Sequence, residues 1–154
     1  MMIKKFSLQH RNAFTAKEVD LASKVNIIFS GKNSTGKTTL IRAILYTIGF
    51  PIPNTELIRF EDYEFKLELV HKGAQIFVVR KGNLLTVNGQ EFDLPVDQRV
   101  AHSFLFGIDN ADILTNLLGT VYFDQEKGWT LLNRGTIIGI NRFNVESFFR
   151  GLKE

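Results

Sequence analysis

The sequence predicts an α/β fold built on a phosphate-binding loop and continued by an antiparallel meander, on three observations. The string Gly31 to Thr38 (GKNSTGKT) fits the pattern GxxxxGK[ST]. An apolar run, Val25 to Ser30 (VNIIFS), precedes it, and Thr39 to Gly49 (TLIRAILYTIG) follows with Leu40, Ile41, Ile44, Leu45 and Ile48 at helical spacing. Beyond Pro53 the pattern changes to short alternating runs divided by glycine-bearing turns, which reads as strands folding back on one another and not as further strand–helix units.

Taken in order, Ile3 to Gln9 (IKKFSLQ) alternates apolar and polar residues and predicts a half-exposed strand. His10 to Thr15 (HRNAFT) turns the chain, and a second short strand leads on to Val25–Ser30, whose continuous apolar character predicts a buried strand. In the loop itself, small residues let backbone N–H groups curl around phosphate oxygens, and the helix that follows presents its positive dipole end. Lys37 is placed to reach the β- and γ-phosphates of a nucleoside triphosphate, and the Thr38 hydroxyl to ligate Mg²⁺. The candidate nucleotide-binding residues are therefore Gly31, Lys32, Asn33, Ser34, Thr35, Gly36, Lys37, Thr38 and Thr39, with ATP and Mg²⁺ as the expected ligands.

Pro51 and Pro53 predict a helix stop and an extended linker. Tyr63 to Val70, Gln75 to Arg80 and Leu84 to Asn88 are the strands of the meander, with turns at Lys72-Gly73, Lys81-Gly82-Asn83 and Asn88-Gly89. Asp97 to Phe106 and Ala111 to Leu118 read as helices, the second capped by Asp109 or Asn110. Thr120 to Asp124 (TVYFD) and Trp129 to Leu132 (WTLL) read as strands around a turn at Gln125 to Gly128. Asn144 to Glu154 begins a helix without a C-terminal cap, so the last residues are expected to run on into a longer helix. No internal repeat or low-complexity segment interrupts this order.

The 154 residues are 44% hydrophobic, enough for one core and one domain. A net charge of +3 permits a polyanionic partner without demanding one. The chain has no cysteine, which excludes a disulfide scaffold and a thiolate metal site and fits a reducing cytoplasm. The opening MMIKKFSLQHRN lacks the apolar core of a signal peptide, and no apolar run approaches membrane-spanning length, so a cytoplasmic chain without a membrane partner is expected.

The order of elements, together with the phosphate loop, resembles the N-terminal lobe of SMC-like ABC ATPase heads, the group that includes the chromosome-condensing SMC proteins, the related double-strand-break-repair ATPase, RecF, RecN and many bacterial defence ATPases. The family pattern is commonly GxNGxGK[ST]; Gly31, Asn33, Gly36, Lys37 and Thr38 match it, and Ser34 stands where a glycine is usual. The resemblance implies a P-loop NTPase fold of ABC type, a mixed sheet with an antiparallel meander, incomplete without a C-terminal lobe. Residues 1–154 would then be that N-terminal lobe, with a coiled-coil or connecting helix starting at about 144–154.

Two further positions follow from the resemblance. Arg11, in the turn after the first strand, sits where family members place a basic residue near the nucleotide; a solvated turn arginine is the other reading. Gln125 resembles the Q-loop glutamine that contacts Mg²⁺, against an ordinary hairpin-turn residue. A third reading makes Thr120 to Asp124 a degenerate Walker B strand, with Asp124 on the metal, Gln125 in the place of the general base and Glu126 beyond it. No LSGG-like string occurs; His10, His71 and His102 read as structural, and Trp129, Phe143, Phe148 and Phe149 as core or subunit contacts.

The function expected is the ATP-binding half of an SMC-like ATPase in DNA maintenance, repair or bacterial defence. The isolated chain is expected to be nearly inactive, with hydrolysis waiting on a C-terminal lobe and on dimerisation with a second head. DNA is a further candidate partner through Lys4, Lys5, Lys66, Lys72, Arg80 and Lys81, although scattered lysines on solvated strands explain the same residues. A nucleotide-binding assembly or DNA-binding module without turnover, or a small nucleotide kinase, are the alternatives.

Overall fold

Turn chemistry decides the middle of the chain. Lys72 and Gly73 (φ 50° and 81°) and Asn88 and Gly89 (φ 48° and 87°) place both central residues of a two-residue loop in the left-handed region, and Gly82 (φ 59°) places one there, as tight hairpins demand. Between these turns run β3 (Tyr63–His71), β4 (Ala74–Lys81), β5 (Leu84–Val87) and β6 (Gln90–Asp93). The computed structural model describes residues 1–21, 25–29, 31, 36–56, 58–108, 110–122 and 135–151. In it β1 (Met2–His10) pairs with the free side of β3, and β2 (Ala16–Asp20) folds back on β1, giving a six-stranded sheet in the order β2-β1-β3-β4-β5-β6. Every pair in it is antiparallel. That corrects the expected mixed sheet: among the described residues no parallel pair occurs. Strand β6 is illegible beforehand because its four residues, QEFD, hold one apolar side chain and no alternation.

Alternation sorts the two faces. Phe6, Phe65, Leu67, Leu69, Val78, Leu85, Val87 and Phe92 form the buried face, and the opposite face carries Lys5, Glu18, Glu64, Lys66 and Lys81. There Lys5 Nζ lies 2.8 Å from Glu18, and Lys66 and Lys81 share Glu64 at 3.0 and 2.7 Å. The Lys81 ammonium, with Lys66 and against a smaller cost of burial, holds the Glu64 carboxyl below its ordinary range. Helices α1 (Lys37–Thr47) and α2 (Gln98–Phe106) cover the buried face, α1 against β3 and β4, α2 against β5 and β6. Ala43, Ile44, Tyr46 and Thr47 form the inner side of α1, whereas Ile41, expected there, is exposed.

A second layer consists of α3 (Ala111–Val121), the hairpin β7 (Thr136–Ile138) and β8 (Asn141–Arg142), and α4 (Val145–Gly151). Asn110 Oδ1 accepts the Ile113 N–H at 3.2 Å, capping α3 as expected, and Asn144 Oδ1 accepts that of Ser147 at 3.0 Å, capping α4. Gly119 permits the close packing of this layer, since a Cβ there would lie 2.7 Å from Ile137 Cδ1 and 2.9 Å from Phe143 Cδ2.

Two expected strands are overturned. Thr120 and Val121 belong to α3, and the Tyr122 N–H still donates to the Leu118 carbonyl at 2.9 Å. Leu114, Leu118 and Tyr122 are all buried, so one apolar face at four-residue spacing prevails over the β-preferring residues of TVYFD. Asp124, Gln125, Glu126 and Trp129 to Leu132 lie outside the described residues, as does any helix beyond Gly151. Residues 25–29 form no strand either. Val25, Ile27 and Phe29 are 76%, 84% and 87% exposed, and none of them pairs with the six-stranded sheet.

The end of α1 is where the layers meet. Arg80, from β4, is 6% exposed. Its Nη1 donates to the Tyr46 carbonyl and, at 3.3 Å, to that of Phe50, and its Nε donates to the Gly82 carbonyl at 3.0 Å. The guanidinium carbon sits 3.5 Å from the centre of the Tyr46 ring. His102 Nε2 lies 3.1 Å from the Ile48 carbonyl, Gln98 Nε2 donates to that of Gly49 at 3.2 Å, and Asn141 Nδ2 to that of Pro51 at 3.2 Å. Four side chains from β4, α2 and β8 thus converge on carbonyls at and just beyond the end of α1. Burial lowers the Arg80 guanidinium to about 10, so it stays charged at neutral pH beside the negative end of the helix dipole. It follows that Arg80 is no DNA contact.

His102 is 2% exposed, and burial pushes its imidazole down to about 4 against 6.5 in the unfolded chain. Because a carbonyl accepts, Nε2 carries the proton of the neutral ring. Between pH 6.5 and 4 the unfolded chain takes up a proton that the folded state refuses, so stability is complete above that window and falls as the pH drops through it. Acidification to pH 4 is expected to cost about 3 kcal/mol through this residue. Urea unfolding at pH 7 and 4.5 measures it, and His102→Gln should flatten the difference; an unchanged pH dependence would refute the assignment.

Candidate functional site

The start of α1 is built differently from its end. Gly36 is the N-cap residue, with φ 89° and ψ 10°, and its carbonyl accepts the Leu40 N–H at 2.8 Å. That left-handed conformation costs a residue with a Cβ about 1–2 kcal/mol, so the second glycine of the motif has a local structural reason. Among the described residues no side chain caps the helix there, and its first turn holds no acidic residue. The first-turn N–H groups belong to Lys37, Thr38 and Thr39, and none of the first-turn side chains is a carboxylate that would meet the positive dipole end.

These features fit a phosphate. Three successive backbone donors, a lysine ammonium and two hydroxyls occupy consecutive positions at a positive helix end, where an anion is stabilised. Gly31, at the far side of the motif, is exposed, with nothing within 4 Å of the position of an added Cβ. Lys32, Asn33, Ser34 and Thr35 lie outside the described residues, as does Gln125. For Mg²⁺ the hydroxyl that the motif supplies is that of Thr38, and no cluster of three acidic or histidine side chains occurs among the described residues. A single protein hydroxyl suits Mg²⁺, which keeps most of its waters and takes its remaining ligands from substrate phosphates.

Thr39 donates its hydroxyl to Thr55 Oγ1 at 3.2 Å, a contact across the linker that no pattern in the sequence announces. Arg11 is held elsewhere: its backbone N–H donates to the Asp62 carbonyl at 2.9 Å, and Nη1 to the Glu61 carbonyl at 2.9 Å. With Gln9, His10, Glu64 and Lys81 it lines a shallow depression of about 330 Å³ at the edge of the charged sheet face, and none of these residues belongs to the motif. The structure therefore brings Gly36, Lys37, Thr38 and Thr39 together and leaves Arg11 engaged with the segment that enters β3. Of the basic residues considered for DNA, Lys5, Lys66 and Lys81 are paired with carboxylates on the sheet face. Among the described residues no helix is long and apolar enough to cross a membrane.

A family model described as an AAA domain matches residues 5–137, most of the chain, and the protein belongs to that family. The match supports an ATP-binding, ATPase-like function for the domain. No curated protein matches the sequence.

The two glycines of the motif should respond differently to alanine. Gly36→Ala places a Cβ on a left-handed backbone and is expected to lose about 1–2 kcal/mol of stability, whereas Gly31→Ala, in open space, should stay within about 0.5 kcal/mol of the unaltered chain. Urea midpoints of the two variants test this; equal losses would mean that the turn at Gly36 carries no conformational demand.

Proposed function

We propose that this AAA-family chain is the ATP-binding half of an SMC-like ATPase, acting in DNA maintenance, repair or bacterial defence. The observation that carries the reading is the phosphate motif at an uncapped helix start, with Gly36 left-handed and no carboxylate in the first turn. Lys37 would meet the β- and γ-phosphates, the backbone from Gly31 to Thr39 would surround them, and Thr38 would ligate Mg²⁺. Bound Mg²⁺·ATP supplies a phosphoanhydride whose terminal phosphoryl group can pass to water. The role of Arg11, whose Nη1 donates to the Glu61 carbonyl, rests on the family resemblance. The role of Gln125 at the metal rests on the family resemblance alone.

Hydrolysis is assigned to a larger assembly. The chain's own residues at the helix start hold and neutralise charge, and none there is a carboxylate able to accept a proton from water. A C-terminal lobe, and a second head facing the first, would supply those groups. Residues 25–29 support this view, because an apolar run beside the phosphate loop stands exposed where a strand of another lobe would pair with it. ATP would then hold heads together and hydrolysis would release them. A cytoplasmic location is part of the same proposal.

Lys37→Ala should lower affinity for a fluorescent ATP analogue by at least about tenfold, since a charge-assisted contact to phosphate is removed. The unaltered chain alone should show only trace phosphate release. Equal affinity in the variant removes the nucleotide site, and brisk turnover by the pure chain favours a self-sufficient enzyme.

The exposed run predicts association. Sedimentation over a concentration series should reveal self-association of the isolated chain that Ile27→Asp and Phe29→Asp together abolish, with the thermal midpoint unchanged because both side chains are solvated. A monomer at every concentration would count against an open edge awaiting another lobe.

A further inference from the structure

The segment between α1 and β3 touches the candidate site at Thr39. At one end the Thr55 Oγ1 meets the Thr39 hydroxyl at 3.2 Å, and the Thr55 N–H closes a turn on the Ile58 carbonyl at 3.2 Å. Next, Asn54 Oδ1 accepts the Phe60 N–H at 2.7 Å. Phe60 is fully buried, its ring 4.9 Å from that of Tyr46 on α1 and 5.7 Å from that of Phe65 on β3. The position of Thr55 is therefore set by the core and not by the phosphate loop, so it can fix the direction of the hydroxyl it meets.

Thr39 has one proton to donate and two lone pairs. When that proton turns to an outside acceptor, the Thr55 hydroxyl can donate to the oxygen of Thr39, and a chain of two hydroxyls polarises the outer donor. From this geometry we infer that Thr55 is a positioning residue of the phosphate site: it orients and strengthens the Thr39 hydroxyl as a donor to a nucleotide phosphate oxygen. The inference rests on the nucleotide-binding reading above and adds to the motif a residue sixteen positions beyond Thr39.

The test is a double-mutant cycle on the full chain, with calorimetric affinity for Mg²⁺·ATP as the readout and circular dichroism as the check of folding. Thr55→Val, which keeps the shape and removes the hydroxyl, should weaken binding by about three- to fivefold, the effect of one neutral hydrogen bond. Thr55→Ser should restore affinity to within about twofold. In a Thr39→Val background Thr55→Val should change nothing further, because the group it acts through is gone. If T55V does not fold, Thr55→Ala carries the same expectation. A loss of equal size in both backgrounds, or a serine variant as weak as the valine one, overturns the proposal and reduces Thr55 to a structural contact. Binding that Lys37→Ala abolishes but T55V leaves intact overturns the role of Thr55 alone. No ATP binding by the unaltered chain overturns it together with the nucleotide site.

Discussion

Arg80 at the C-terminal end of α1 is the constraint on which the other layers depend. A buried cation without a carboxylate is costly unless its donors are used and its charge is met by dipoles. Here three backbone carbonyls and the face of Tyr46 meet it. Those carbonyls belong to the helix end and to the first hairpin turn after β4, so one side chain ties α1 to the sheet. His102 and Gln98 add α2 to the same helix end, and Asn141 adds the β7–β8 hairpin. Each of these side chains adds a donor at or just beyond the helix end, a contact worth about 0.5–1.5 kcal/mol.

This arrangement gives the helix two unlike ends. The C-terminal end is closed by protein donors and a positive charge, whereas at the N-terminal end, among the described residues, there is no side-chain cap and no first-turn carboxylate. The cation at the C-terminal end matches the negative pole of the dipole there. The N-terminal end carries the phosphate motif, and the aromatic cluster of Tyr46, Phe60 and Phe65 holds the helix in place. The same cluster anchors the linker that delivers Thr55 to Thr39.

The outer face of the sheet explains why a modest net charge of +3 does not become a basic stripe. Lysines and glutamates alternate across β2, β1, β3 and β4, and register sets each cation beside an anion. Exposed pairs of this kind add little stability, but they cancel the field that a polyanion would follow. The apolar surface at residues 25–29 is exposed instead, and the proposed association rests on it.

Period-two alternation and the Gly and Asn turns determined the meander in the sequence itself, because hairpin geometry depends on residues adjacent in the chain. The phosphate motif, the start of α1 and the caps at Asn110 and Asn144 are local for the same reason. Tertiary structure decided the rest. Whether VNIIF is a buried strand depends on neighbours from elsewhere, and whether TVYFD extends or coils depends on what Leu114, Leu118 and Tyr122 pack against. Arg80 reads as a surface cation until β4 pairs with β3 and turns it under α1, and Thr55 gains a meaning only when the linker crosses Thr39. Periodicity records which face a residue occupies, but not which distant group will meet it, because that partner is chosen by how the whole chain packs.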